Sequence, residues 1–244
     1  MRPLGALLAT VLLTGCGGYT SSRIDQDPLG LQYAADRRAA PVDEPESLFP
    51  SDIAVLNDSA IKRILNYHLT LPRAGRLAVV PLGEQRNIWW RDSEDFSRLN
   101  QELTDSMLAA LRRSPRIERA AVLPSLMVPR QRTIPYLREA AARYQADLLL
   151  GYRTNCSVFR RVRFLMKPQY RATCSVEAVL LDTRSGIVPF TLVTTRSEIF
   201  EKQKQDFETR EAIVRAQFRA TDEALAEVVK QVGEFLVTTP ESEP

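Results

Sequence analysis

The sequence predicts an α/β (α+β) domain, a small twisted mixed sheet with helices packed on it and a long C-terminal helix. Three observations carry that expectation. Apolar residues recur at helical spacing early in the chain and again at its end. Between Leu148 and Leu192 they change to a period of two. Two short apolar runs, bounded by Pro and Gly, separate the early helices. The predicted order is helix–β–α–β–α–β–β–β–α. Its β-α-β-α-β opening implies parallel strands joined over helices, to which later hairpins add antiparallel strands.

Each element has its own signal. Asp58-Ser59 can cap a short helix through Ile61, Ile64 and Leu65. Arg76 to Pro81 is an apolar strand set off by Pro72, Gly75 and Gly83. Phe96, Leu99, Leu103, Met107, Ala110 and Leu111 form a helical stripe. Ser93, Glu94 and Asp95 sit at its start, where acids are favourable, and Ser114-Pro115 ends it. Ala120 to Leu126 reads as a second short strand or an extended segment. Thr133 and Pro135 open a helix with Leu137, Ala140, Ala141 and Tyr144 on one face. Leu148, Leu150, Tyr152, Cys156 and Val158 then fall on even positions, as do Cys174, Val176, Ala178 and Leu180. Asp182 to Gly186 reads as a hairpin turn, and Leu180 opposite Phe190 keeps the even residues on one face. Thr209 caps the last helix, whose expected stripe is Val214, Phe218, Thr221, Leu225, Val228, Val232 and Phe235.

The amino-terminal end is of another kind. Arg2 precedes an apolar stretch, Leu4 to Leu13, too short to span a bilayer, and the segment closes on Leu13-Thr14-Gly15-Cys16. This resembles the bacterial lipobox. The resemblance implies that residues 1–15 are a signal peptide and that Cys16 receives diacylglycerol and then an acyl chain such as palmitate. Gly17 in place of Asp implies the outer membrane, facing the periplasm. Residues 16–50 read as the lipidated Cys and a polar tether, about 34 residues long with a span of roughly 30–35 Å; the alternative is that part of it, around Leu29 to Tyr33, packs on the domain. Residues 51–238 form a single globular domain, and 239–244 a frayed tail.

Charge and composition narrow the partners. Lys+Arg total 33 against 30 Asp+Glu; removing Arg2 with the signal leaves 32 against 30, a net charge of +2. That balance does not predict nucleic-acid binding. With Cys16 acylated, Cys156 and Cys174 remain. A turn near Leu165 would set them opposite one another, and an oxidising compartment favours a disulfide; the alternative is two buried small hydrophobes.

A short Ala-Val-Val-Pro strand leads to a helix. Tyr136 to Tyr144 then runs into Gln-Ala-Asp-Leu-Leu-Leu-Gly151, followed by Leu181-Asp-Thr-Arg-Ser-Gly186 and a long terminal helix. From Arg76 to Leu236 this resembles a superfamily of bacterial envelope proteins: the TolB amino-terminal domain, CsgG-like secretion lipoproteins and LpoB-like activators of penicillin-binding proteins. The resemblance implies an anticodon-binding-like fold used for protein contacts rather than catalysis. The basic stretch from Val158 to Tyr170 departs from the apolar membrane hairpins of a pore-forming member.

Chemistry-bearing motifs are sparse. His68 is the one histidine, so a His-rich metal site is impossible, and no phosphate-binding loop or nucleophile elbow is present. No catalytic set, metal or cofactor is expected. Arg160, Arg161, Arg163, Lys167 and Arg171, with Arg153, interleave with Phe159, Val162, Phe164 and Tyr170. They read as a binding arm for an acidic protein, anionic lipid headgroups or cell-wall carboxylates, or as a solvated hairpin edge. Trp89-Trp90, between Arg86 and Arg91, is a second candidate for partner binding. The expectation is a non-enzymatic, membrane-anchored lipoprotein that binds another envelope protein in peptidoglycan synthesis or in secretion/transport. A subunit of an oligomeric CsgG-like secretion complex is the second expectation, and an envelope hydrolase the third.

Overall fold

The computed structural model of the chain describes residues 22–23, 47–49, 56–83, 94–161, 169–201 and 209–242. In chain order its elements are β1 (Ser22–Arg23), α1 (Asp58–Leu65), β2 (Gly75–Pro81), α2 (Glu94–Leu111), β3 (Ile117–Val122) and a 3-10 turn (Ser125–Met127). There follow α3 (Ile134–Arg143), β4 (Leu148–Arg161), β5 (Gln169–Asp182), β6 (Phe190–Phe200) and α4 (Thr209–Thr238). The sheet runs β3-β2-β4-β5-β6, with β1 paired to β4. β2 is parallel to both β3 and β4, whereas β4–β5, β5–β6 and β1–β4 are antiparallel. This is the mixed α/β sheet that the periodicities predict.

Strand β2 sits between two layers because it is apolar on both sides. Leu77, Ala78, Val79 and Val80 are all buried, the continuous run expected of an inner parallel strand. The chain leaves β2 through α2 for β3, then crosses back through α3 to β4. Two right-handed crossovers in opposite directions put the two helices on opposite faces. The larger core accordingly joins Leu77 and Val79 to Met107 and Leu111 of α2 and to Leu225, Val228 and Val232 of α4. The smaller joins Ala78, Val80, Leu149 and Leu181 to Leu137 and Ala141 of α3.

The long β4–β5 pairing runs from Leu148↔Asp182 to Arg161↔Gln169, with Cys156 opposite Cys174. β6 joins with Leu180↔Phe190, the register the alternation demands. Gly186, at φ 78°, closes the Asp182 turn in a conformation that L side chains rarely adopt.

Helix α4 buries a different stripe in its first half from the one expected. Ala212, Ala216, Ala220 and Ala224 face the sheet with Gln217 and Thr221, while Val214 and Phe218 are half-buried. Ala216 packs on Val158 and Ala172, and the Cys174 sulfur lies 3.4 Å from the Gln217 carbonyl. Small side chains let the helix approach the sheet this closely; Val or Phe there would hold it off. Further along, Leu225, Val228 and Val232 fill the core as the stripe predicts.

Four local expectations are corrected. The α1 cap is Asn57, whose side chain accepts from the Ala60 N–H at 2.9 Å, while Asp58 is already helical. The second strand is Ile117–Val122, not Ala120 to Leu126. It pairs with β2 from Gly75↔Ile117 to Val79↔Val122, and as the sheet's edge it carries Glu118 and Arg119 exposed. The tail is tied down over Thr239–Ser242. Leu71 N–H donates to the Pro240 carbonyl (3.0 Å), and Ser242 N–H donates back to Leu71 (2.8 Å). The tether meets the domain twice. Ser22–Arg23 pair with Arg160 and Phe159, and the Leu48 carbonyl accepts from Ile134 N–H at 2.8 Å while its side chain packs on the smaller core.

Candidate binding surfaces

The two ends of the sheet differ. β4 spans 14 residues, about 45 Å of extended chain. Its beginning and the end of β5 form one end of the molecule, where α1 is attached. The Tyr67 hydroxyl donates to Asp182 Oδ2 at 3.1 Å, and Asp182 also accepts from Ser185 N–H (2.9 Å) and from the Ser185 hydroxyl. Withdrawal from water is the main reason the Tyr67 phenol is pushed above its ordinary 10.0; the hydrogen bond from Ser185 opposes it. Leu69 and Leu71 then lead into the larger core.

This attachment holds α1 on the surface rather than in the core. None of its residues is buried, and Ile61, Ile64 and Leu65 are 41%, 44% and 76% exposed. Leu56 and Phe49 are exposed as well. Ile61, Ile64 and Leu65 stand at i, i+3 and i+4, so they share one helix face. His68 lies just beyond, exposed, with Nδ1 2.9 Å from the Asn66 carbonyl.

The other end is the outer part of the β4–β5 hairpin. Cys156 and Cys174 are bonded there beneath α4, where the Cys156 sulfur meets the Thr221 hydroxyl at 3.6 Å. Arg153, on the body side of that bond, pairs with Glu177 at 2.5 Å. Beyond it neither strand contains an acid. Arg160 and Arg161 end β4, and Arg171 of β5 is exposed with its guanidinium over the Phe159 ring at 5.5 Å. Of the sequence candidates, this end gathers Arg160, Arg161 and Arg171. Arg163, Lys167, Trp89, Trp90 and Cys16 lie outside the described residues.

A third feature is a crevice of about 580 Å³ at the C-terminal ends of β2 and β3. It lies where the two crossovers leave for opposite faces, the position ligands favour in open α/β sheets. Pro81, Val122, Thr104, Asp105, Arg132 and Tyr152 line it. Its polar groups are engaged locally: Gln101 donates to Asp105 (3.1 Å), Thr104 to the Asn100 carbonyl (2.9 Å) and Arg132 to the Leu82 carbonyl (2.6 Å). Burial pushes the Tyr152 phenol up. Among the described residues no cluster of His, Cys, Asp and Glu could hold a metal, and no helix is long and apolar enough to cross a membrane. The crevice and the exposed α1 were not legible as sites. Only the spacing of Ile61, Ile64 and Leu65 signalled one of them.

No family model matches the sequence, and no curated protein does. Solved structures do resemble it. A minor lipoprotein from Acinetobacter baumannii is 9% identical, over 71% of this chain and 99% of that one, with a TM-score of 0.39. Lipoprotein GNA1162 from Neisseria meningitidis is 14% identical over 66% and 99%, with a TM-score of 0.30. The PelC dodecamer from Paraburkholderia phytofirmans is 12% identical over 65% and 90%, with a TM-score of 0.29.

Proposed function

We propose that this chain is a lipoprotein anchored through Cys16 at the periplasmic face of the outer membrane. Its domain acts, without catalysis, as a protein-binding or regulatory module of an envelope assembly, in peptidoglycan synthesis or in secretion/transport, as the TolB, CsgG and LpoB resemblance implies. The observation that carries this reading is α1. An eight-residue amphipathic helix with no buried residue is stabilised by neither length nor packing of its own apolar face. It is held in place by Asn57 and Tyr67 with Ile61, Ile64 and Leu65 facing outward, the arrangement a partner's apolar groove takes up.

The test is a photocrosslinking residue in living cells at Ile64, with one at Glu139 on α3 as control. A discrete adduct from Ile64, absent from Glu139 and lost in Ile61→Glu, is expected. Since α1 buries nothing, that substitution leaves the fold intact. No adduct from Ile64 would overturn the reading.

A second reading, a subunit of an oligomeric secretion complex, is favoured by β6. In the sheet order it has β5 on one side and, among the described residues, no strand on the other, so its edge is open to strand addition. Light scattering that gives a concentration-independent monomer would sink it.

A further inference from the structure

We propose that the outer end of the β4–β5 hairpin, where the register places Arg23, Arg160, Arg161 and Arg171, rests against an anionic phospholipid surface. The inference rests on the lipid anchor at Cys16 and adds to it an orientation and a second point of contact.

The direction of β1 carries the argument. β1 is antiparallel to β4, with Ser22 opposite Arg160 and Arg23 opposite Phe159. β4 runs outward from Leu148 to Arg161, so β1 runs inward, and Ser22 begins it at the hairpin's outer end. Six residue steps separate Cys16 from Ser22, a reach of at most about 20 Å. An acylated Cys16 therefore holds this end, and no other part of the sheet, next to the bilayer. α1 lies at the far end of β4, so it faces away from the membrane and toward the periplasm.

The charge of the held end fits that surface. Residues 155–161 and 169–176 contain no acid. Register brings Arg23, Arg160, Arg161 and Arg171 together within the last rungs of β1, β4 and β5. Among the described residues, the acids near them come from β6 and its exit. Glu198 pairs with Arg219 of α4 at 3.4 Å, and Glu201 is exposed just past Phe200. The excess is positive. Each arginine near an anionic surface strengthens attachment, and a single exposed cluster is attracted only within roughly a Debye length, about 8 Å at physiological salt. The short chain from Cys16 supplies that proximity, so the two contacts reinforce one another.

The test uses the mature chain with Cys16→Ala, so that no acyl chain contributes, sedimented with vesicles of phosphatidylglycerol and phosphatidylethanolamine or of phosphatidylcholine alone. Binding to the anionic vesicles alone, released by salt, is expected. Arg160→Gln/Arg161→Gln/Arg171→Gln weakens it roughly tenfold or more, while the corresponding Lys triple variant keeps it, because headgroup attraction needs charge and not the guanidinium fork. Unchanged thermal melting shows that both variants fold. Equal binding to both vesicle types, an unaffected Gln variant, or a Lys variant as weak as the Gln variant would overturn the proposal; the last points to an acidic protein that reads the guanidinium. Mass analysis of the wild-type amino terminus from cells tests the anchor separately. An unacylated Cys16 beside intact vesicle binding overturns the anchor and leaves the surface standing.

Discussion

Cys156 and Cys174 face one another as directly opposed residues of β4 and β5, with their Cα atoms 4.1 Å apart, a little closer than the roughly 4.5 Å of a non-hydrogen-bonded antiparallel pair. The bond they form closes a segment of 18 residues that includes the hairpin's outer loop. A cross-link of that span stabilises chiefly by restricting the unfolded chain. Replacing both residues with Ala is expected to cost roughly 3 kcal/mol in chemical denaturation. Thiol titration of the denatured, unreduced mature protein should find neither cysteine reactive, and two reactive thiols would refute the bond.

Arg116 ties the end of α4 to the start of β3. Its Nε and Nη2 donate to the carbonyls of Leu236 and Thr239, both at 3.2 Å, and Nη1 to Glu241 at 2.6 Å. These carbonyls lie at the helix C-terminus, where a cation is also favoured by the backbone dipole. Arg116→Ala leaves them without a protein donor and should cost about 2–3 kcal/mol, measured by denaturant midpoint.

Gly186 is fixed by its φ of 78° and by Arg138, whose Cδ would lie 3.2 Å from an added Cβ. The same arginine donates to the Thr183 carbonyl at 2.8 Å and to the Arg184 carbonyl, bracing the turn. Gly186→Ala should lower stability by about 1–2 kcal/mol through backbone conformation alone, and Gly186→Asn by less, which thermal melting of the two variants would resolve.

Alkaline pH should act through Tyr152. Burial raises its pKa in the folded protein above 10.0, so folding favours the neutral phenol. Below pH 10 both states hold the proton and this residue gives no pH dependence. Above it the unfolded chain ionises first, so its contribution to stability falls as pH rises toward the folded value. Tyr67, raised for the same main reason, works in the same direction. Wild type and Tyr152→Phe, compared by denaturation from about pH 8 to 11, should diverge only at the alkaline end, with the wild type losing more.

The hairpins were legible because a half-buried strand writes its register in the sequence. Even-numbered apolar residues from Leu148 to Phe190 admit one alignment that keeps them under α4, and it is the one observed. α4's first half was misread because hydrophobic ranking selects Val214 and Phe218, whereas close approach to Ala172 and the cysteines selects alanine. The expected segment began at Ala120, after Glu118 and Arg119, whereas β3 begins at Ile117; an edge strand carries such charges at no cost in pairing. β1 and the tied tail had no local signal at all. Two residues of pairing and one isolated bridge depend on partners more than a hundred residues away. The arginines of the outer hairpin could be named from sequence; that Ser22 and Arg23 join them could not.

The bridge between Leu71 and Glu241 also bears on the order in which the molecule can be completed. A chain delivered amino-terminus first presents β2 and its neighbours long before α4 exists to cover them. Leu77, Val79, Leu150 and Leu180 then face water on the side that Val228, Val232 and Leu236 later seal. The residues that follow α4 are the ones that fasten it, through Thr239 and Glu241 to Arg116 and through Pro240 and Ser242 to Leu71. Until α4 is fastened, the face of the sheet that it seals stays open to water.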